Sequence, residues 1–185
     1  MFNASLEQPI VKTGFVNDPT AADQGAGPGD SPWVFTGSAG IAASGGRMGP
    51  LTIPPAPDGR QSGFVDQGGN FSQMLNFPTA GQYTLTFQEA GIGIYGVLLD
   101  DTVIVGSHLA PDTFSPVAVP FSVTGGPHTL TFQDTDPRQS AGPLPAFIDA
   151  VAVVPEPGLA ALCAVVTMLM GRARAGQRPA QRNTR

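Results

Sequence analysis

Between Asn3 and Val154 apolar residues recur at every second position in short runs, and each run stops at glycine or proline. That spacing lines up alternate side chains on one face of an extended chain and predicts half-buried β-strands. Phe71 to Phe77 places Phe71, Gln73, Leu75 and Phe77 on one face and Ser72, Met74 and Asn76 on the other. After a turn at Pro78-Thr79-Ala80-Gly81, Gln82 to Gln88 returns with Tyr83, Leu85 and Phe87 aligned. Val97 to Val105 holds two apolar pieces around Asp100-Asp101, which reads as a tight turn between paired strands. Phe121 to Phe132 reads as a hairpin closed by Gly125-Gly126, because glycine takes the positive φ that short hairpin turns require. Phe147 to Val154 is expected to close the domain. The run Thr-Leu-Thr-Phe-Gln occurs at Thr84–Gln88 and again at Thr129–Gln133. Two copies do not make a solenoid, and two similar strands with threonines outward and Leu/Phe inward explain them. The predicted class is all-β, a β-sandwich or jelly roll.

The pattern changes after Val154. Pro155, Glu156 and Pro157 interrupt any strand or helix, since proline lacks a backbone donor and fixes φ. Gly158 to Gly171 then runs without a charge, and Arg172 and Arg174 follow. An apolar run of good helix formers predicts a short C-terminal helix that meets lipid on every face. At 1.5 Å per residue it reaches about 21 Å, short of a bilayer's roughly 30 Å core. Arginines behind such a segment favour the cytoplasmic side. The chain thus divides into a body at 1–154, a segment at 155–174, and a basic tail at 175–185 expected to stay disordered. A buried terminal helix is the alternative for the apolar run, but an arginine cluster directly behind it does not suit a core.

Charge sharpens this division. All the acidic residues lie at or before Glu156, opposed only by Lys12, Arg47, Arg60 and Arg138, so that part carries a formal −10. The remaining five arginines follow with no acid, a formal +5. An acidic body excludes nucleic-acid binding, which needs a basic footprint. The high Gly and Pro content, 24 and 19 residues, punctuates β-branched and aromatic runs rather than a disordered chain. Cys163, the one cysteine, lies in the apolar run, so no disulfide forms within the chain.

The order Pro155-Glu156-Pro157, apolar run, Arg172 and Arg174 resembles the PEP-CTERM sorting signal of exosortase-processed bacterial surface proteins; the extension from Ala175 to Arg185 is longer than that family's basic stub. The resemblance implies an exosortase-type processing enzyme as partner and a transient membrane anchor through the C-terminal helix. It also implies export, with the body at the cell envelope or extracellular surface. Met1-Phe2-Asn3-Ala4-Ser5 has neither the basic region nor the apolar stretch of a secretory signal, so a leader is expected upstream of Met1. The body in turn is similar to galactose-binding-like jelly-roll domains. The segments carrying that similarity are Asn3–Pro9, Trp33–Ile41, Gly63–Val65, Phe71–Gln73, Gly81–Leu85, His128–Leu130 and Phe147–Val151, in order. The similarity implies an eight- or nine-stranded sandwich, as in many carbohydrate-binding modules. It also implies that Glu7, on the first strand, and Asp149, on the last, help hold a structural calcium. Calcium needs six to eight oxygens, and the alternative is that both carboxylates cap loop backbone.

Candidate chemistry is sparse. Trp33, the single tryptophan, is expected in the core. Tyr95, in the glycine-rich stretch Gly91–Gly96, is the candidate exposed aromatic for a ligand. His128 is expected at an edge or surface, and no His spacing suits zinc. Gly29-Asp30-Ser31 lacks the downstream Asp-x-x-His that a hydrolase of that type requires, and no Gly-x-Ser-x-Gly is present. The sequence assigns no catalytic residue. The expected function is a non-catalytic binding or structural sandwich, exported and associated with extracellular polysaccharide. The alternative is a glycan-active enzyme or an accessory module of one.

Overall fold

A computed structural model describes residues 1–138 and 142–156. Thirteen strands form among these residues: β1 (Phe15–Asn17), β2 (Val34–Thr36), β3 (Ala39–Ala43), β4 (Arg47–Met48), β5 (Leu51–Thr52), β6 (Gln61–Val65), β7 (Asn70–Phe77), β8 (Gly81–Gly91), β9 (Ile94–Leu99), β10 (Thr102–Leu109), β11 (Ser115–Val123), β12 (Gly126–Asp134) and β13 (Ala146–Pro155). Six strands in the order β1-β3-β6-β13-β8-β11 make one sheet, and five in the order β10-β9-β12-β7-β2 make the other. β4 and β5 pair as a small separate ribbon. All pairs are antiparallel. The expected sandwich is thus present, with eleven strands in its two main sheets where eight or nine were expected. The C-terminal helix, Pro157, Arg172 and Arg174 lie outside the described residues.

The alternation read from the sequence sets the faces. Along β7, Phe71, Gln73, Leu75 and Phe77 are buried while Met74 and Asn76 are exposed. The inter-sheet core is aromatic: Phe71 stacks on Phe132 at 5.2 Å, and Trp33 meets Phe71 edge-on at 5.1 Å. Trp33 sits in this core as expected, 1% exposed, with its Nε1–H donated to the Asn3 carbonyl at 3.0 Å. A second cluster, including Met48, Ile53, Phe64 and Phe147, buries the outer face of the six-stranded sheet. β3 and β6 are therefore buried on both faces.

Two connections differ from the expectation. β11 and β12 do not pair with each other; β11 lies beside β8, whereas β12 lies between β7 and β9 in the opposite sheet. Thr124-Gly125 therefore arches from sheet to sheet. The turn at 78–80 does the same between β7 and β8. Apolar alternation sets which face of a strand is buried, and a short arch across a sandwich satisfies that as well as a hairpin does. The repeated Thr-Leu-Thr-Phe-Gln runs lie one in each sheet, with Phe87 and Phe132 meeting edge-to-face at 5.2 Å. The expected turn at Asp100-Asp101 does join a true hairpin of β9 and β10, with Asp100 at φ 53°.

Candidate functional site

Glu7 lies in the irregular segment before β1, not on a first strand. Its Oε1 accepts the backbone N–H groups of Arg60 at 2.8 Å and Gln61 at 3.0 Å. Asp149, on β13, is fully buried; its Oδ2 accepts the Asp58 N–H at 2.9 Å and its Oδ1 the Ala150 N–H at 2.7 Å. Burial pushes the Asp149 carboxyl up to about 7, and the nearby charges of Asp58 and Glu7 add to the rise. The fold thus brings Glu7 and Asp149 within reach of each other's charge and adds Asp58, which no pattern in the sequence singled out. Ser62 Oγ, on the strand next to β13, is buried without a hydrogen-bond partner. The two carboxylates cap the loop 58–61 and the bulge after Asp149. Four N–H donors take up three of the four carboxylate oxygens, Glu7 Oε1 accepting two of them, whereas calcium needs six to eight oxygens in all. No group of three His, Cys, Asp or Glu side chains among the described residues is placed to hold a metal.

Beside this loop lies a cleft of about 520 Å³, lined by Glu7, Ile10, Lys12, Ser44, Arg60 and Gln61, among others. Lys12 and Arg60 are exposed and make no ion pair with a described residue. They are two of only four cations in the acidic part of the chain. Ile10, 73% exposed, supplies an apolar surface next to them. Gln61 anchors the cleft floor by donating to the carbonyls of Leu6 and Pro9 at 2.9 and 2.7 Å. Convergent donors and acceptors beside an apolar surface are what a small polar ligand requires. No local pattern marks this cleft, because the fold assembles it from three separate segments around Glu7, Ser44 and Arg60.

Tyr95 is not the exposed ring that its glycine neighbours implied. It is on β9, 0% exposed, and its hydroxyl donates to Glu89 Oε2 at 2.5 Å. Burial, and then the Glu89 carboxylate, push the hydroxyl well above its ordinary range. Glu89 Oε1 also meets His108 Nε2 at 3.0 Å, so the buried carboxylate joins both sheets. A buried tyrosine needs a partner for its hydroxyl, and Glu89 provides it.

His128 is half-buried and pairs with β7 alone, because β9 joins β12 only from Leu130 onward, so it stands at a local edge of its sheet as expected. Its Nδ1 lies 2.8 Å from Asp100 Oδ2 and its Nε2 lies 3.0 Å from Thr124 Oγ1. Asp100 also accepts the Thr129 N–H at 2.9 Å, and that bond, followed by His128, holds its carboxyl below the usual range. Carboxylate, imidazole and hydroxyl stand in the order that acyl transfer uses. The three groups also fasten the arch at Thr124 to the β9–β10 turn. Ser31 Oγ, by contrast, donates to the Met74 carbonyl on β7 at 2.7 Å.

Pro155 ends β13 opposite Tyr83, and Glu156 donates its N–H to the Gln82 carbonyl at 2.9 Å while its carboxylate accepts the Thr84 hydroxyl. The last strand therefore runs through the first proline.

Two antiparallel sheets packed face to face define an all-β sandwich. Solved structures similar to it include a family 35 carbohydrate binding module from Clostridium thermocellum, at TM-score 0.49 and 14% identity over 67% of this chain and 92% of that one. Another is TmCBM61 in complex with β-1,4-galactotriose, at TM-score 0.48 and 17% identity over 78% of this chain and 100% of that one. A third is CBM35 from Paenibacillus barcinonensis, at TM-score 0.48 and 14% identity over 67% and 93%. No family model and no curated protein matches the sequence.

Proposed function

We propose that this protein is an exported bacterial surface or matrix protein whose non-catalytic sandwich binds polysaccharide, and that residues 155–174 deliver it through an exosortase-type enzyme. The observation that carries the binding reading is the cleft beside Glu7. Lys12 and Arg60 present N–H donors and Glu7 an acceptor, with Ile10 as the apolar surface on which a sugar's C–H face rests. The delivery reading is supported by the order of motif, apolar run and arginines, and by an acidic body followed by a wholly basic end. The test is a glycan array on the full chain and on Arg60→Ala. Capture of an oligosaccharide, weakened about tenfold by loss of a charged hydrogen bond, is expected. An empty array overturns binding and leaves a structural role. Deleting residues 155–185 is expected to abolish envelope retention; unchanged fractionation overturns the delivery reading.

A second reading, a glycan-active enzyme, is favoured by one observation: the Asp100, His128 and Thr124 relay could remove acyl groups from a glycan. Under the leading reading the relay is a clamp, so the full chain and Thr124→Ala turn over an aryl acetate equally. A rate that falls a hundredfold or so in Thr124→Ala, the scale of a lost catalytic group, establishes the enzyme instead.

A further inference from the structure

We propose that an open groove at the end of the sandwich where β13 finishes is the docking site for this chain's own apolar segment from Gly158 to Ala164. The body shelters that segment from water until lipid competes for it. The inference uses the proposed lipid-seeking tail only through its lack of charge, so it stands apart from exosortase processing.

The groove measures about 780 Å³ and is walled by Phe2, Met74, Phe77, Tyr83, Pro127 and Pro155, among others. Its lining is mainly apolar, and Met74 is 58% exposed on its wall. Apolar surface that is both concave and open marks a place where something apolar rests. The position of the chain exit says what. Pro155 is at once the last residue of β13 and part of the wall. Glu156 is fastened to β8 through its N–H and its carboxylate, so the backbone leaves the sheet at the groove itself. Only Pro157 separates that anchor from the uncharged run beginning at Gly158.

Size agrees. A helix about 10 Å across fills roughly 420 Å³ per turn, so the groove takes about two turns, seven residues, which reach from Gly158 to Ala164. A second copy of the chain is the competing occupant. A segment tethered by so short a link meets the groove at an effective concentration in the millimolar range, above that of a neighbouring molecule.

Cys163, the chain's one cysteine, falls within the proposed segment and reports on it directly. The experiment measures its rate of reaction with a water-soluble disulfide reagent in the full chain and in a peptide of residues 157–185. The full chain is expected to react more slowly by about tenfold or more, the population shift that burying one or two apolar side chains produces. That protection should be independent of protein concentration. Met74→Glu, at an exposed position on the groove wall, is expected to restore the peptide's rate. Val103→Glu, at an exposed position on β10 outside the groove, is expected to leave protection intact. A full chain that reacts as fast as the peptide overturns the proposal. So does protection that survives Met74→Glu, or protection that fades on dilution, which would assign the groove to a second copy. Envelope fractionation is a separate measurement, so failure there and failure here are distinguishable.

Discussion

Asp149 shows how one buried residue couples the fold to solution conditions. Its carboxyl, lifted to about 7 from an ordinary 3.8, holds a proton in the folded chain over a range where the unfolded chain has released it. The folded state binds more protons between about pH 4 and pH 7, so stability is full below that window and falls as pH rises through it. The effect is on the order of 4 kcal/mol if the whole shift is expressed. Thermal melting between pH 4 and pH 8 is expected to show this fall, and Asp149→Asn is expected to flatten it. The same assay tests the metal implied by the resemblance. With N–H donors facing Glu7 and Asp149, millimolar calcium or a chelator is expected to leave the melting temperature unchanged; a rise with calcium shows that loop 58–61 turns its donors away. Tyr95 and His128 make a related point. Neither role was legible, because glycine neighbours imitate a loop and the Asp100 partner of His128 lies 28 residues away.

Among the strands, the sheet edges are managed in different ways. β1 and β2 are only three residues long, and β10 shifts register twice against β9. β11 is long and pairs with β8 over nine positions, yet carries Pro116 and Pro120 on its exposed face. Residues four apart share a backbone orientation, so both missing donors fall on one side of the strand, and an edge strand tolerates proline on its open side, where an invading strand would seek donors. Replacing Pro116 and Pro120 together by valine restores that row of donors and adds strand propensity. The double variant is expected to self-associate at concentrations where the parent is monodisperse, as light scattering would report. An unchanged particle size removes the protective role assigned to the prolines. Only the part of this strand from Phe121 was legible in the sequence, although Val117, Val119, Phe121 and Val123 alternate with the exposed residues. Strand partners were not, because each of the two sheets offers the same ladder.

Across the whole molecule, the two Thr-Leu-Thr-Phe-Gln strands meet through the core rather than side by side. Phe132 packs against Phe71, Phe87 and Trp33 and is 0% exposed. Phe132→Ala is expected to cost about 3–5 kcal/mol in chemical denaturation. Combining it with Phe87→Ala is expected to cost less than the two losses added, by about 0.5–1.5 kcal/mol for the shared ring contact. Strict additivity would deny the contact between sheets. Alternating apolar residues and their glycine and proline stops determined by themselves that the body is all-β and which faces of its strands turn inward, because burial of alternate side chains is a local property of an extended strand. Charge order along the chain likewise set the acidic body apart from its basic end. Which strands are neighbours, that β7–β8 and β11–β12 arch between sheets, and that Glu7, Lys12 and Arg60 share a cleft were decided only by the tertiary structure. Those relations depend on contacts between segments far apart in sequence, where side-chain shape and hydrogen-bond partners select one arrangement from several that satisfy the same local pattern.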